Sequence, residues 1–145
     1  MHYNYGQDKK VGDEAETEFA TILKKHKAKN VQFNADNKYD ISCIFKGKPQ
    51  TFEVKNDVMS ARTGNVAIEF ECRGKPSGVA VSKADVWAIK TAGEFWLITK
   101  KKLASMIASK SWTRIHQGGD PGSNTKFYLF KKSVFSAYCS KQIKT

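Results

Sequence analysis

The stretch KYDISCIFKGKPQTFEVKND, residues 38–57, decides the fold. Two runs with alternating apolar positions, DISCIF and TFEVKN, flank a turn marked by Gly47 and closed off by Pro49, the pattern of a β-hairpin. Ile41, Cys43, Phe45, Phe52 and Val54 fall on the core side of its strands. Glu53 and Lys55 leave the other face, roughly 6–7 Å apart along the strand, and Asp40 opens the neighbouring strand. With the strands in phase, the carboxylates of Asp40 and Glu53 reach one patch. A hairpin that aims two acids and a lysine at one place gives up apolar burial there, which calls for a reason.

Working outward, VGDEAETEFATILKKHKAKN carries Ala15, Phe19, Ile22 and Leu23 at helical spacing. Acids at its start (Asp13, Glu14, Glu16, Glu18) and lysines at its end suit the helix dipole. A short strand near VQF precedes the hairpin. NVAIEFEC alternates as a strand, with Val66, Ile68 and Phe70 on one face and Ala67, Glu69 and Glu71 on the other. It is expected to pair beside the strand of Glu53. In SKADVWAIKT a cap signal at Ser82 leads into an apolar run. EFWLIT reads as a strand, KKKLASMIASK as a helix with Leu103, Met106 and Ile107 inward, KFYLF as a strand and KKSVFSAYCSKQI as a C-terminal helix. One mixed sheet flanked by helices follows, an α/β (α+β) single domain over residues 1–145, with residues 1–10 as a polar N-terminal arm.

Charge narrows the partner. The 145 residues carry 25 Lys and Arg against 14 Asp and Glu, a formal +11. Such an excess favours a polyanion, and nucleic acid is the commonest soluble one. No run long and apolar enough for a membrane span and no apolar leader is seen, so the expectation is a cytoplasmic protein with no membrane partner. Cys43, Cys72 and Cys139, an odd count without CxxC spacing, read as reduced thiols rather than a disulfide frame or zinc site.

Two carboxylates converging away from water repel, and the ordinary remedy is a divalent cation. Hard oxygens with room for water suit Mg²⁺, with Mn²⁺ as a substitute, whereas a His/Cys set would suit zinc. Beside such an ion, Lys55 can orient a water or stabilise charge building on a phosphate. The ExK triplet is not specific by itself: an acid two residues before a lysine also occurs at Asp8 and Asp36. An exposed hairpin face with ordinary cross-strand ion pairs is the alternative reading. Glu16 favours the metal reading. At 100° per residue it lies roughly 70° from the centre of the helical stripe at Phe19, at the border of the core-facing side.

Gly12, Glu16, Asp40 and Glu53-Val54-Lys55 together resemble the PD-(D/E)XK nuclease superfamily, the restriction-endonuclease-like fold, over about residues 12–90. The resemblance implies a core of helix, strand, hairpin strands, strand and helix, with residues 91–145 as an extension. It implies metal binding by Asp40, Glu53 and the carbonyl of Val54, assistance to the attacking water by Lys55, and a further metal-shell acid at Glu16. The spacing of Glu16, Asp40 and Glu53 is similar to that in archaeal Holliday junction resolvases. The later RTGNVAIEFECRGKPSGVAVSKADVWAI looks more like small phage or mobile-element nucleases.

Further candidates are weaker. Arg73, Lys75 and Lys83 are expected to contact DNA phosphates. Glu69 is either an outer-shell acid or a surface residue. HQGGDPGSNTKFYLF reads as a turn region that leaves His116 in a loop, and Trp87 and Trp96 read as core. The expected function is a Mg²⁺-dependent DNA endonuclease hydrolysing phosphodiesters. The alternatives are a Holliday junction or branched-DNA resolvase acting as a homodimer, and a non-catalytic basic nucleic-acid-binding module of the same fold.

Overall fold

The computed structural model describes residues 5–34, 36, 38–57 and 60–144. The hairpin at its centre joins β2 (Ile41–Phe45) to β3 (Lys48–Asn56), with Ile41 opposite Phe52 and Phe45 opposite Lys48. That register leaves Lys46 and Gly47 as a two-residue turn, both at positive φ (51° and 77°), the conformation whose twist suits a tight hairpin. Pro49 is tolerated because β3 meets its second neighbour only from Phe52 onward.

Before the hairpin come α1 (Tyr5–Lys25) and β1 (Lys29–Phe33). After it come α2 (Ser60–Thr63), β4 (Asn65–Cys72), β5 (Lys75–Pro76), a short 3₁₀ turn at Gly78–Ala80, β6 (Val86–Thr91) and β7 (Glu94–Thr99). The chain ends with α3 (Lys100–Ala108), β8 (Arg114–Gly118), β9 (Thr125–Lys131), α4 (Lys132–Tyr138) and β10 (Lys141–Lys144). Two sheets result, a six-stranded mixed sheet in the order β1-β2-β3-β6-β7-β10 and a four-stranded antiparallel sheet in the order β5-β4-β9-β8. Within the first, β3 and β6 run parallel and the other neighbours antiparallel.

The faces of β3 divide the molecule. Phe52 and Val54 point toward α1, where Ala15, Phe19, Ala20 and Leu23 are buried against Ile41, Cys43, Ala88 and Phe95. Phe19 is the keystone, its ring centroid 5.1 Å from those of both Phe52 and Phe95. On the other side of the sheet, Trp87, Ile89, Trp96 and Ile98 form a second cluster with Val66, Ile68 and Phe130 of the four-stranded sheet and with Leu103, Met106 and Phe135 of α3 and α4. The expected hairpin core thus holds, with Phe45 only partly buried, and Trp87 and Trp96 are core.

Several expectations are corrected. α1 begins at Tyr5, inside the stretch read as an arm, so Glu14, Glu16 and Glu18 lie mid-helix and do not serve the dipole, while Lys24 and Lys25 do occupy the last turn; residues 1–4 of that arm lie outside the described residues. The core that the resemblance implies would close with a helix near residue 90, yet Val86–Thr91 is strand β6. Its alternation explains this, since Trp87 and Ile89 fill one cluster while Ala88 fills the other, a strand buried on both faces. β6, not NVAIEFEC, pairs beside Glu53; β4 belongs to the second sheet, against β9. The C-terminal helix stops at Tyr138, and Lys141–Lys144 returns as β10 to the edge of β7, Ile143 packing toward the α1 side. His116 lies on β8 rather than in a loop. Among the described residues no helix is long and apolar enough to cross a membrane.

Candidate functional site

The hairpin register sets Asp40 across from Glu53, one step beyond the Ile41–Phe52 pair. Asp40 is fixed twice at this point: its N–H donates to Phe52 O at 2.9 Å, and its Oδ2 accepts the N–H of Val54 at 2.8 Å. The carboxylate is therefore oriented by the backbone of the strand that carries Glu53. Such a bond to a charged acceptor is worth about 1.5–3 kcal/mol.

Glu53 is buried, at 9% exposure, in the middle of a sheet. Ser82 donates its hydroxyl to Glu53 Oε1 at 2.9 Å, and Lys55 Nζ stands 3.8 Å from Oε2. Burial pushes the Glu53 carboxyl up to about 7; the charge of Asp40 and a hydrogen bond to it push the same way, while Lys55 and Ser82 pull it down. Two carboxylates are thus held close enough to compete for one positive charge, a proton or a metal ion.

Ser82 is read from sequence as a cap. It does close a local turn, accepting from Ala84 N at 3.2 Å, but its proton goes to Glu53. The loop that delivers it is latched on the hairpin: Lys83 N donates to Lys38 O at 2.7 Å, and Asp85 N to Thr51 O at 3.0 Å, while Asp85 Oδ2 accepts from Thr51 N at 3.0 Å. Lys83 is exposed beside this latch, close to the strand mouth where Asp40 sits.

Lys55, exposed along much of its length, leads from the acid pair into a cleft of about 520 Å³. One wall is the end of β3, Lys55 with Asn56 and Asp57, together with Trp87. The other is the face of the second sheet turned away from its core cluster: Ala67 and Glu69 of β4, Phe127 and Leu129 of β9, Arg114 and His116 of β8. These six share a face because the register pairs Ala67 and Arg114 with Leu129, and Glu69 and His116 with Phe127. Glu69 and Lys55 are brought to one cleft, although their strands do not pair. Asp57, which sequence reading passed over, anchors the first wall. Its Oδ1 accepts from Ser60 N and its Oδ2 from Ala67 N, both at 3.0 Å, tying the end of β3 to α2 and β4. An acid just past a strand and three residues before a serine is an N-cap signal that was available in the sequence.

Glu16 does not join the pair. It is half-buried on α1, which lies against the Phe52 and Val54 face of β3, opposite the face of Glu53 and Lys55. Among the described residues, no three His, Cys, Asp or Glu side chains gather as a metal-holding group. Arg73 sits at the β4–β5 turn, 3.9 Å from Asp120, and Lys75 lies on β5; neither lines the cleft. Cys43, Cys72 and Cys139 are free, and burial pushes the Cys139 thiol up to about 12. No family model, no curated protein and no solved structure matches this chain, so the candidate site rests on its own geometry.

Proposed function

We propose that the protein is a Mg²⁺-dependent DNA endonuclease of the PD-(D/E)XK kind. One observation carries the reading: Asp40 and Glu53 face each other across a hairpin in mutual reach, Glu53 buried and Asp40 half-buried, with Lys55 between them and an open cleft. The helix, strand and hairpin of the resemblance are present in that order, which supports it further.

The donor set fits a hard divalent ion. Mg²⁺ is commonly held by one or two carboxylates, the rest of its shell being water and substrate phosphate, so the absence of Glu16 from the pair does not disqualify the site. Asp40 and Glu53 would hold the ion, with the Val54 carbonyl as the further ligand that the resemblance implies. When bound, it supplies Lewis-acid activation of the phosphate and a more acidic water. The chain's own residues set the conditions. Ser82 and Lys55 favour the ionised Glu53 that binding requires, and the Val54 N–H fixes Asp40. The Lys55 ammonium orients the attacking water and offsets charge developing on the phosphate.

The net charge of +11 supplies the attraction for a polyanion, which makes binding strongly salt-dependent. The test is incubation of the full chain with linear, nicked and four-way DNA in Mg²⁺, Ca²⁺ or EDTA. Cutting in Mg²⁺ that is lost in EDTA and in Asp40→Ala and Glu53→Ala is expected; cutting that survives both substitutions overturns the site. The lack of a third metal-ligating side chain among the described residues favours a second reading, a binding module without hydrolysis. Tight DNA binding with no cutting in any metal would select it.

A further inference from the structure

The face of the second sheet that lines the cleft has a composition that a hydrolytic site does not require. Phe127 and Leu129 give it an apolar floor, and Trp87 borders it from the other sheet. His116 and Phe127, paired directly across β8 and β9, set two rings side by side, their centroids 6.3 Å apart and their planes 31° from each other. Arg114 stands two residues before His116 on the same exposed face, and Lys55 closes the cleft from the side of the acid pair. Two rings on a sheet face, flanked by cations, is how sheet proteins hold unpaired bases: the rings take the π-faces and the cations take the backbone.

A continuous duplex gives such a surface little to grip. Its bases are stacked and paired, and it offers phosphates and groove edges only. An unpaired base has two free faces, and a cleft of about 520 Å³ lies within the range of sites that enclose small ligands. Lys55 belongs to both places, 3.8 Å from Glu53 and on the wall of the cleft, so a strand lying over the rings continues to the carboxylates.

We propose that this face is a single-strand platform, on which Phe127 and His116 stack unpaired bases while Arg114 and Lys55 hold the adjacent phosphates. The substrate class is then nucleic acid with an unpaired stretch next to the phosphate that is cut. Its place as part of a substrate site rests on the nuclease reading above; the platform itself does not. Glu69, on the rim of the same face, is placed to accept a hydrogen bond from an exocyclic base amine. Asp57 takes no such part, since both its oxygens accept from backbone N–H groups.

The test is fluorescence anisotropy with the full chain in EDTA, using a labelled single strand of about twelve nucleotides, the blunt duplex of the same sequence and that duplex with a single-stranded tail. The wild type is expected to bind the single strand and the tailed duplex more tightly than the blunt duplex. Phe127→Leu, which keeps an apolar floor, and His116→Ala, on an exposed edge strand, each weaken single-strand binding about tenfold and blunt-duplex binding less than about twofold. Arg114→Ala weakens all three and lowers the salt slope by about one. Equal affinity of the wild type for single strand and blunt duplex overturns the platform. So does unchanged single-strand binding in Phe127→Leu and His116→Ala. Loss of cutting in Glu53→Gln together with that unchanged binding would keep the nuclease and remove the platform. Selective loss of single-strand binding in a protein that cuts nothing would keep the platform and remove the nuclease.

Discussion

Ser82 donates its hydroxyl to Glu53 Oε1 at 2.9 Å, joining the loop before β6 to the middle of β3 across twenty-nine residues. Burial and Asp40 push the Glu53 proton affinity up, and this hydroxyl, with Lys55, opposes them. Ser82→Ala is expected to leave a folded protein whose Glu53 holds its proton to higher pH. The midpoint of Mg²⁺-dependent cutting against pH then moves up by about one unit, equivalent to about 1.4 kcal/mol. A pH–rate profile at fixed Mg²⁺ checks this; an unmoved midpoint would mean that Ser82 serves only its local turn.

Stability without metal should carry the same signature. The Glu53 carboxyl has an ordinary value of 4.5 and is pushed up to about 7 in the fold, so the native state holds the proton more tightly than the unfolded chain. Its contribution is full below about 4.5 and is lost as pH rises toward 7, amounting to at most about 3 kcal/mol. Glu53→Gln cannot ionise and so escapes the loss. Urea unfolding in EDTA should find the variant more stable than the wild type at pH 8 and the two close together at pH 5. A constant difference across that range would count against the buried-carboxylate account.

On the nuclease reading, Lys55 is the residue expected to separate chemistry from binding. Its side chain is 47% exposed and touches Glu53 at only 3.8 Å, so little structure depends on it. Lys55→Ala is expected to cut at least about a hundredfold more slowly while binding Mn²⁺ within severalfold of wild type at pH 8. Isothermal titration beside single-turnover cutting makes the comparison. Equal losses of metal affinity and of rate would make Lys55 a structural partner of Glu53.

Gly78 is the point where the chain between β5 and β6 presses on β4. Its φ is +52°, and a Cβ there would sit 2.1 Å from the carbonyl oxygen of Glu69. That neighbour is backbone and cannot swing away. Gly78→Ala should cost about 2 kcal/mol or more, read as a lowered denaturation midpoint, and should disturb the cleft through Glu69. Gly74, also at positive φ (+74°) but with open space around it, should lose less on the same change.

The hairpin was legible because its information is local: alternation over residues 41–45 and 52–55, a glycine at the turn and an acid before the first strand determine it almost alone. The facing of Asp40 and Glu53 then followed from period-two geometry. The partner of β3 was not legible. NVAIEFEC and VWAIKT are both apolar and β-prone, and only burial on both faces, a tertiary fact, sends VWAIKT to the centre of the sheet. The local bond of Ser82 was legible, but its bond to Glu53 was not, for a related reason. The hydroxyl accepts the turn bond and donates its proton elsewhere, and where that proton goes depends on where β6 docks. Glu16 shows the limit of a helical wheel, which places a residue at the border of a stripe but does not say which face of the sheet that border meets.

The parallel pairing of β3 with β6 has a consequence for how the site comes into being. A parallel pair needs a crossover, and here residues 57–85 use theirs to lay down β4 and β5, the first strands of the outer sheet, before returning. Until that excursion closes, Glu53 has only β2 beside it and lacks both Ser82 and its second neighbouring strand, so its carboxylate is less buried than in the finished fold. The long loop closure makes this a late step. On the nuclease reading, a partly folded chain holds Asp40 beside Glu53 but not yet the buried, Ser82-bonded carboxylate, so its full affinity for a cation is expected only once β6 docks.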